Sequence, residues 1–550
     1  MTQLVVISRS ILPSFSRQVS SFLFQARISV ILVAILAFIA TAAVGYLQGI
    51  PQPQTHDEFS YLLAADTFLH GRLTNPTHPM WVHFETMHVI HQPSYMSRYM
   101  PAQGLFLAMG SMLGGHPIIG VWVSVAFMCA AVCWMLGAWL PNRWALLGGI
   151  FAIIHPYFGI GNYWAQSYWG GAVSAAGGAL LIGGARYLML DPRKSYAAAL
   201  VSGLAILANS RPYEGFILSI PIGLALLIWL IKNRRTAAGA VAIRHILLIG
   251  LPIGLLTLCG MAYYNFRITG NLGQVPYLVY ERTYSASALL IWQHPPDKPI
   301  YHHRIMEDFH TKFELPYYLA KHSIIGFVRV NVAIMVMYFF VAMNVLAIPV
   351  IGSASQLLGW VWQDRSGRLA LLIYSFFVLG MMLPSYSLPH YWSPVTALNH
   401  LFVLQGIRFW RFRDRRTGQL MLVLVPALCL VLLSINFYHS MTSYDPFVPH
   451  IQRAKMLSNL ERGHDKHLVL VQYGPHHSFN DEWVFNEADI DAAKVVWARD
   501  MGLPKNCELV NYFRDRLIWS IEIDDDKKPV EVQPYPKQSC PLQQQRHTTS

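Results

Sequence analysis

Two adjacent carboxylates carry the first chemical suggestion. Gln54-Thr55-His56-Asp57-Glu58-Phe59-Ser60-Tyr61 sets Asp57 and Glu58 just past an apolar run and at the start of an amphipathic stretch, FSYLLAADTFLHGRL. A carboxylate held at a bilayer edge and partly desolvated gains proton affinity and can act as a general base. It could deprotonate an acceptor hydroxyl while a lipid-borne substrate waits in the adjacent leaflet. The competing reading is local. Acids favour a helix N-terminus, so both residues could simply cap the helix that follows. His303, Glu307 and His310 have a helical spacing that could face one metal ion, but nothing else in the sequence supports a ligand set there. His83, His88 and His91 do not improve the case.

The elements that must position these groups follow from composition. The chain has 550 residues, 54% hydrophobic and only 13% charged. Soluble domains carry about 25% charged residues, so this chain cannot cover a comparable wetted surface. A soluble enzyme, a disordered protein and a disulfide-built secreted module are all disfavoured. A polytopic membrane protein remains. The formal charge of +12, from 41 basic and 29 acidic residues, belongs in cytoplasmic loops rather than against nucleic acid. Cys129, Cys133, Cys259 and Cys429 lie inside apolar runs and read as packing residues.

A crossing needs roughly 20 apolar helical residues. The first candidate runs from Arg27 to about Gln48. Arg9, Arg17 and Arg27 precede it without an acid, which predicts a cytoplasmic N-terminal segment over 1–27. The run is long for a signal-peptide core, although the Ala-rich residues after it leave a cleavable signal as the alternative. Further runs near 117–139, 145–159, 172–190, 196–208, 215–231, 245–263, 323–350, 369–384, 393–409 and 419–437 bring the expectation to about eleven crossings. Charge placement fixes the count. If 102–115 is interfacial or re-entrant, Arg143, Arg193 and Lys194, Arg234 and Arg235, Arg365 and Arg368, and Arg411 to Arg416 all fall in cytoplasmic loops. A full crossing there would put most of them outside.

This orientation gathers the polar material on the exocytoplasmic face: a first outer loop over 50–115, short loops at 160–171 and 209–214, a long loop at 264–322, a turn at 385–392 and the tail. The tail, 438–530, reads as a small α/β domain. His467–Gln472 and Leu517–Ile523 are expected strands and Asp489–Met501 an expected helix. Cys507 and Cys540 could pair there. The stretch 531–550, rich in Gln, Lys and Pro, reads as disordered. No internal repeat is visible, which weakens an inverted-repeat transporter.

Beyond the acidic pair come Arg72 and then Arg98-Tyr99-Met100-Pro101-Ala102-Gln103-Gly104, opening the short apolar helix. A carboxylate pair after the first transmembrane helix, followed by an Arg/Lys-Tyr-x-Pro-x-x-Gly turn, resembles the GT-C membrane glycosyltransferases. The bacterial relatives of protein O-mannosyltransferases and of lipid-A aminoarabinose transferases (family 39-like) are the nearest in pattern. The resemblance takes in Asn162-Tyr163-Trp164-Ala165-Gln166-Ser167-Tyr168-Trp169-Gly170-Gly171, Asn209-Ser210-Arg211-Pro212-Tyr213-Glu214-Gly215 and His390-Tyr391-Trp392-Ser393-Pro394. It covers roughly 28–440. The motifs are short, and their specificity lies in order and topology.

The resemblance implies a mainly α, GT-C-like bundle over 28–437 with interfacial helices on its outer face. It implies an integral membrane transferase of the bacterial inner membrane that moves a hexosyl or pentosyl group, with inversion, from a polyprenyl-phosphate-linked donor to a glycan, lipid or protein acceptor. Asp57 takes the role of general base, with Glu58 as its neighbour and stand-in. Arg211 and Arg98, and more weakly Arg72, would hold the leaving phosphate, for which a guanidinium suits. For each, an interfacial snorkelling role is the equal alternative. Tyr99, Gln103, Gln166, Tyr168, Trp169, Glu214, His390 and Tyr391 complete the expected substrate contacts. Trp164, Tyr168 and Trp169 divide between sugar stacking and an aromatic belt, and His390 and Tyr391 between cavity lining and packing. One departure stands out: the 160–171 loop lacks the second acid that metal-dependent relatives carry, so no metal and no cofactor is expected. Glu214 would rather pair with Arg211. Two other classes stay open, a transporter or flippase and a non-catalytic envelope assembly protein. Mid-membrane ionisable residues would favour the former, and Arg329 and Asn331 are the main ones to approach that description, Arg186 being expected near the inner surface.

Overall fold

The computed structural model describes residues 25–443, 445–524, 528–536 and 540. Most of the expected N-terminal segment, and 541–550 of the expected disordered tail, lie outside the described residues.

Each apolar run named above is helical over most of its length. Among the described residues, seven helices are long and apolar enough to cross a bilayer, from Ala26–Gln48 (α1) to Arg415–Thr442. The chain is a multi-pass membrane protein. Helix alternation leaves the basic turns near 143, 193, 234, 365 and 413 at one end of the bundle, and the loops with the candidate residues at the other. An amphipathic helix that the sequence reading did not separate, Ala354–Gln363, lies at the basic end.

Residues His56–Leu69 form α2 and Pro101–Gly114 form α3. Fourteen helical residues span about 21 Å, short of the roughly 30 Å apolar core; α3 is therefore no crossing on its own. It lies tightly against α4 (Pro117–Gly137) because a Cβ on Gly120 would stand 1.9 Å from the Phe106 carbonyl oxygen. Between α2 and α3 the first outer loop makes a small antiparallel sheet, in the order β1 (Asn75–Pro76), β3 (Ser94–Ser97), β2 (Val89–Ile90).

The tail carries a four-stranded sheet in the order β5 (Val495–Arg499), β4 (His467–Tyr473), β6 (Leu517–Ile523), β7 (Gln533–Pro534). Strands β5, β4 and β6 are parallel and β7 is antiparallel. The expected strands are present, whereas the helix expected over 489–501 is a turn followed by β5. Val495-Val496-Trp497 is β-branched and aromatic, and every residue of β5 is buried. The crossover helix follows instead, at Leu503–Tyr512, and a disulfide joins its Cys507 to Cys540.

The tail is not an independent appendage. Leu63, Phe84, Val89 and Tyr95 of the first outer loop share one core with Leu468, Leu470, Phe485 and Val496 of the tail. Phe59 stacks on Phe485 with ring centroids 4.2 Å apart, and Asp66 accepts a hydrogen bond from the Ala488 amide at 2.7 Å. Phe485→Ala is expected to cost about 3 kcal/mol and to expose the tail to protease in the detergent-solubilised protein. Cleavage kinetics and a melting temperature equal to wild type would contradict this packing.

Candidate active site

The site is built from the turn that starts α2. Glu58 sits three residues past the N-cap Thr55 and bends back. Its Oε2 accepts from the Gln54 and Thr55 amides at 2.8 and 3.1 Å. Its Oε1 reaches the 160–171 loop and accepts the Tyr168 amide at 2.9 Å. Burial raises the Glu58 pKa, only partly offset by these donors. Both oxygens are thus occupied by backbone, the capping role anticipated for the pair.

Asp57 points elsewhere. Its Oδ1 accepts the Tyr99 hydroxyl and lies 2.5 Å from His88 Nδ1, and its side chain keeps 16% exposure. Burial pushes the carboxyl up, but the charge and hydrogen bond of His88 and the hydrogen bond from Tyr99 outweigh it, and Asp57 titrates well below the usual carboxylate range. The sequence argument expected a raised proton affinity from desolvation alone. Two donors from distant residues reverse the sign.

His88 reaches Asp57 because of its backbone. It adopts φ 63°, a left-handed conformation unusual for histidine. Its carbonyl accepts Ser60 Oγ at 2.6 Å and the Arg98 amide at 3.1 Å. Burial and then the Arg98 charge bring its pKa down to about 3, so the ring is neutral at pH 7 and Nδ1–H donates to Asp57 while Nε2 is buried without a partner. The sequence reading weighed His88 only as a metal ligand. The hairpin register brings it in: Val89 pairs with Ser97 across the β2–β3 hairpin, which sets His88 opposite Arg98.

The two leading arginines have different surroundings. Arg98, 4% exposed, donates Nη1 to Glu281 Oε1 at 2.8 Å. Its guanidinium lies 4.6 to 5.1 Å from the rings of Tyr280, Tyr277 and Tyr99. Glu281, on the helix Pro276–Tyr284, was missed because nothing local marks a carboxylate 183 positions from its partner. Arg211 is the N-cap of Pro212–Asn233 and lies 4.3 Å over the Tyr391 ring. Among the described residues its guanidinium has no hydrogen bond or contact ion pair. The expected pairing with Glu214 is not a contact; Glu214 is buried nearby. Tyr61 stacks on Tyr99 at 4.6 Å and feels the charges of both arginines and of Asp57, so these groups share one electrostatic neighbourhood.

His390 belongs to it. Its ring stacks on Trp169 at 5.1 Å, Nδ1 lies 2.9 Å from the Tyr163 hydroxyl, and Nε2 is buried without a partner. Burial and then Arg211 bring its pKa down to about 3. The other expected contacts are spent on the scaffold. Gln103 Nε2 donates to the Tyr168 carbonyl at 2.8 Å, Gln166 Nε2 to the Thr41 carbonyl at 3.1 Å, and the Tyr168 hydroxyl to the Pro51 carbonyl at 2.9 Å. Trp164 is core, stacked on Phe158 at 4.0 Å. The main-chain bond from the Ala102 amide to the Asn209 carbonyl, 2.9 Å, brings the Arg98 and Arg211 segments together. His303, Glu307 and His310 do not converge: they contact Val82, Lys298 and Glu314 respectively. Arg72 is half-buried on the turn after α2.

No family model and no curated protein matches the sequence. Among solved structures, the chain is similar to the Archaeoglobus fulgidus oligosaccharyltransferase in complex with Zn and sulfate. Identity is 9% and the TM-score 0.51, over 89% of this chain and 67% of that one. The fold is that of the GT-C membrane glycosyltransferases. A further likeness is to ArnT from Cupriavidus metallidurans bound to undecaprenyl phosphate, at 11% identity and TM-score 0.47, covering 89% of this chain and 92% of that one. Within the GT-C fold of this chain, α2 and α3 are the helices that carry Asp57 and follow Arg98.

Two outcomes follow from this geometry. Glu58→Ala strands three backbone donors and should lower stability by about 3 kcal/mol or more, read as a fall in the thermal midpoint. The ¹⁵N shifts of His88 should remain those of a neutral Nδ1–H tautomer from pH 8 down to pH 5, since its pKa lies near 3. An imidazolium signal at pH 6 would contradict the assignment.

Proposed function

We propose that the protein is an integral membrane glycosyltransferase that moves a sugar from a polyprenyl-phosphate donor to an acceptor hydroxyl on the exocytoplasmic side. One observation carries the reading: an ionised, partly exposed Asp57 shares an electrostatic neighbourhood with the Arg211 guanidinium, which rests on the Tyr391 ring and has no hydrogen bond or contact ion pair among the described residues. A base and an uncommitted cation are the two groups that glycosyl transfer with a phosphate leaving group requires. A membrane-borne donor would reach them from the adjacent leaflet.

In this reading Asp57 takes the proton of the acceptor hydroxyl, and the oxygen attacks the anomeric carbon from the side opposite the phosphate. The carbon–oxygen bond to the carrier breaks, configuration inverts, and the polyprenyl phosphate leaves with the bonding pair, its charge met by Arg211. A lowered pKa makes Asp57 a weak base that is always in the competent state. His88 and Tyr99 hold it in place. Arg98, committed to Glu281, contributes field more than direct coordination, and Glu58 serves the scaffold. The basic turns, which the positive-inside rule assigns to the cytoplasm, support an exocytoplasmic setting for this end of the bundle.

The test is transfer by the purified protein in lipid, supplied with a panel of radiolabelled polyprenyl-phosphate sugars. Asp57→Asn should slow transfer by about 10²- to 10⁴-fold. Arg211→Ala should act comparably and Arg211→Lys less severely. Equal sugar loss in wild type, Asp57→Asn and Arg211→Ala would defeat these roles. Because Asp57 stays ionised and His88 neutral, neither should impose an acid limb on the rate between pH 5 and 8.

A further inference from the structure

A second site lies apart from Asp57. A cavity of about 580 Å³ opens between the long outer loop, through His303, Arg304 and Asp308, and the carboxyl ends of the tail strands β4 and β5. Open parallel sheets bind ligands in this place, because strand ends and loops diverge there. Strand β4 delivers Gln472 and Tyr473 to the wall, and β5 delivers Arg499 followed by Asp500.

Arg499 fixes this wall in place. It is 3% exposed and donates Nε to the Glu85 carbonyl at 2.7 Å and Nη2 to Glu482 at 2.6 Å, which ties the end of β5 to the first outer loop. Around it the lining mixes charges of both signs, Arg304 and Lys505 against Asp308 and Asp500, with an amide at Gln472. A bare anion would meet two carboxylates, and an acyl chain would meet polar walls. The half-buried rings of Tyr473, stacked on His477 at 4.2 Å, and of Phe479 add flat apolar surface. Planar donors and acceptors beside aromatic faces suit a polyhydroxylated ring.

We propose that this cavity binds the carbohydrate portion of the acceptor; the word acceptor rests on the transferase reading above, the binding does not. Its wall is coupled to the catalytic helix. Phe479, a lining residue, accepts on its carbonyl a hydrogen bond from His56 Nε2 at 2.6 Å, and His56 is the residue before Asp57. An acceptor glycan seated in the tail would therefore be anchored beside the start of α2.

The experiment uses the full-length protein in detergent, applied to a printed array of neutral and uronic-acid-containing oligosaccharides. Affinities for the bound sequences are then measured in solution. Wild type should bind at least one oligosaccharide. Gln472→Ala and Lys505→Ala, both exposed positions that leave the core intact, should each weaken it about tenfold, while Asp57→Asn should bind as wild type does. No bound oligosaccharide, undiminished binding by the double variant Gln472→Ala/Lys505→Ala, or loss of binding in Asp57→Asn alone would each overturn the proposal. The two readings fail separately: full transfer by Asp57→Asn would remove the catalytic assignment, and the array result would stand.

Discussion

The arrangement at this end of the bundle depends on the buried carboxyl group of Glu58. One side chain satisfies two backbone amides just ahead of the helix and a third on a loop 110 positions away. Those bonds set where α2 begins, how it lies against the 160–171 loop, and which way the preceding side chain faces. Without them the α2 N-terminus would present unsatisfied donors in a poorly solvated place. The carboxylate next to Asp57 is what gives Asp57 its direction.

Around that fixed point the charges are sorted by commitment. Asp57 is held by neutral donors, Arg98 is tied to Glu281 and boxed by tyrosines, and Arg211 alone of the three is held only by a ring face. A charged group already neutralised by a neighbour has little left to offer an incoming phosphate, whereas one resting on an aromatic ring keeps its hydrogen-bond donors. The tyrosine cluster of Tyr61, Tyr99, Tyr277, Tyr280 and Tyr391 separates these charges while keeping each within reach of the others' fields.

Much of the scaffold was readable from hydropathy. A helix in or near a bilayer needs an apolar stretch, and such stretches are long enough to be recognised individually; the short α3 could be told from a crossing by the basic residues it would otherwise misplace. Asp57 and Arg211 were legible because they sit next to helix starts with distinctive neighbours. Their partners were not. His88 and Glu281 meet the site through a hairpin register and a separate helix, information no local spacing contains. The sign of the Asp57 shift failed for the same reason, since desolvation can be guessed from position but hydrogen-bond donors cannot. In the tail, the run around Val495 follows Asp489-Ile490-Asp491-Ala492-Ala493, which carries helical composition into what becomes a buried edge strand by tertiary pairing with β4.

The shared core of the first outer loop and the tail also has a temporal meaning. His56 and Phe479 are in hydrogen-bond contact yet 423 positions apart, so during synthesis the earliest large extramembrane segment emerges long before the strands that complete it. Until the ribosome has delivered nearly the whole chain, the apolar faces of Phe59, Leu63 and Phe84 lack their covering. Closure over so long a loop is entropically slow. The start of α2 is thus among the first pieces made and the last to become rigid, which makes the ordering of the face that carries Asp57 a late event in synthesis.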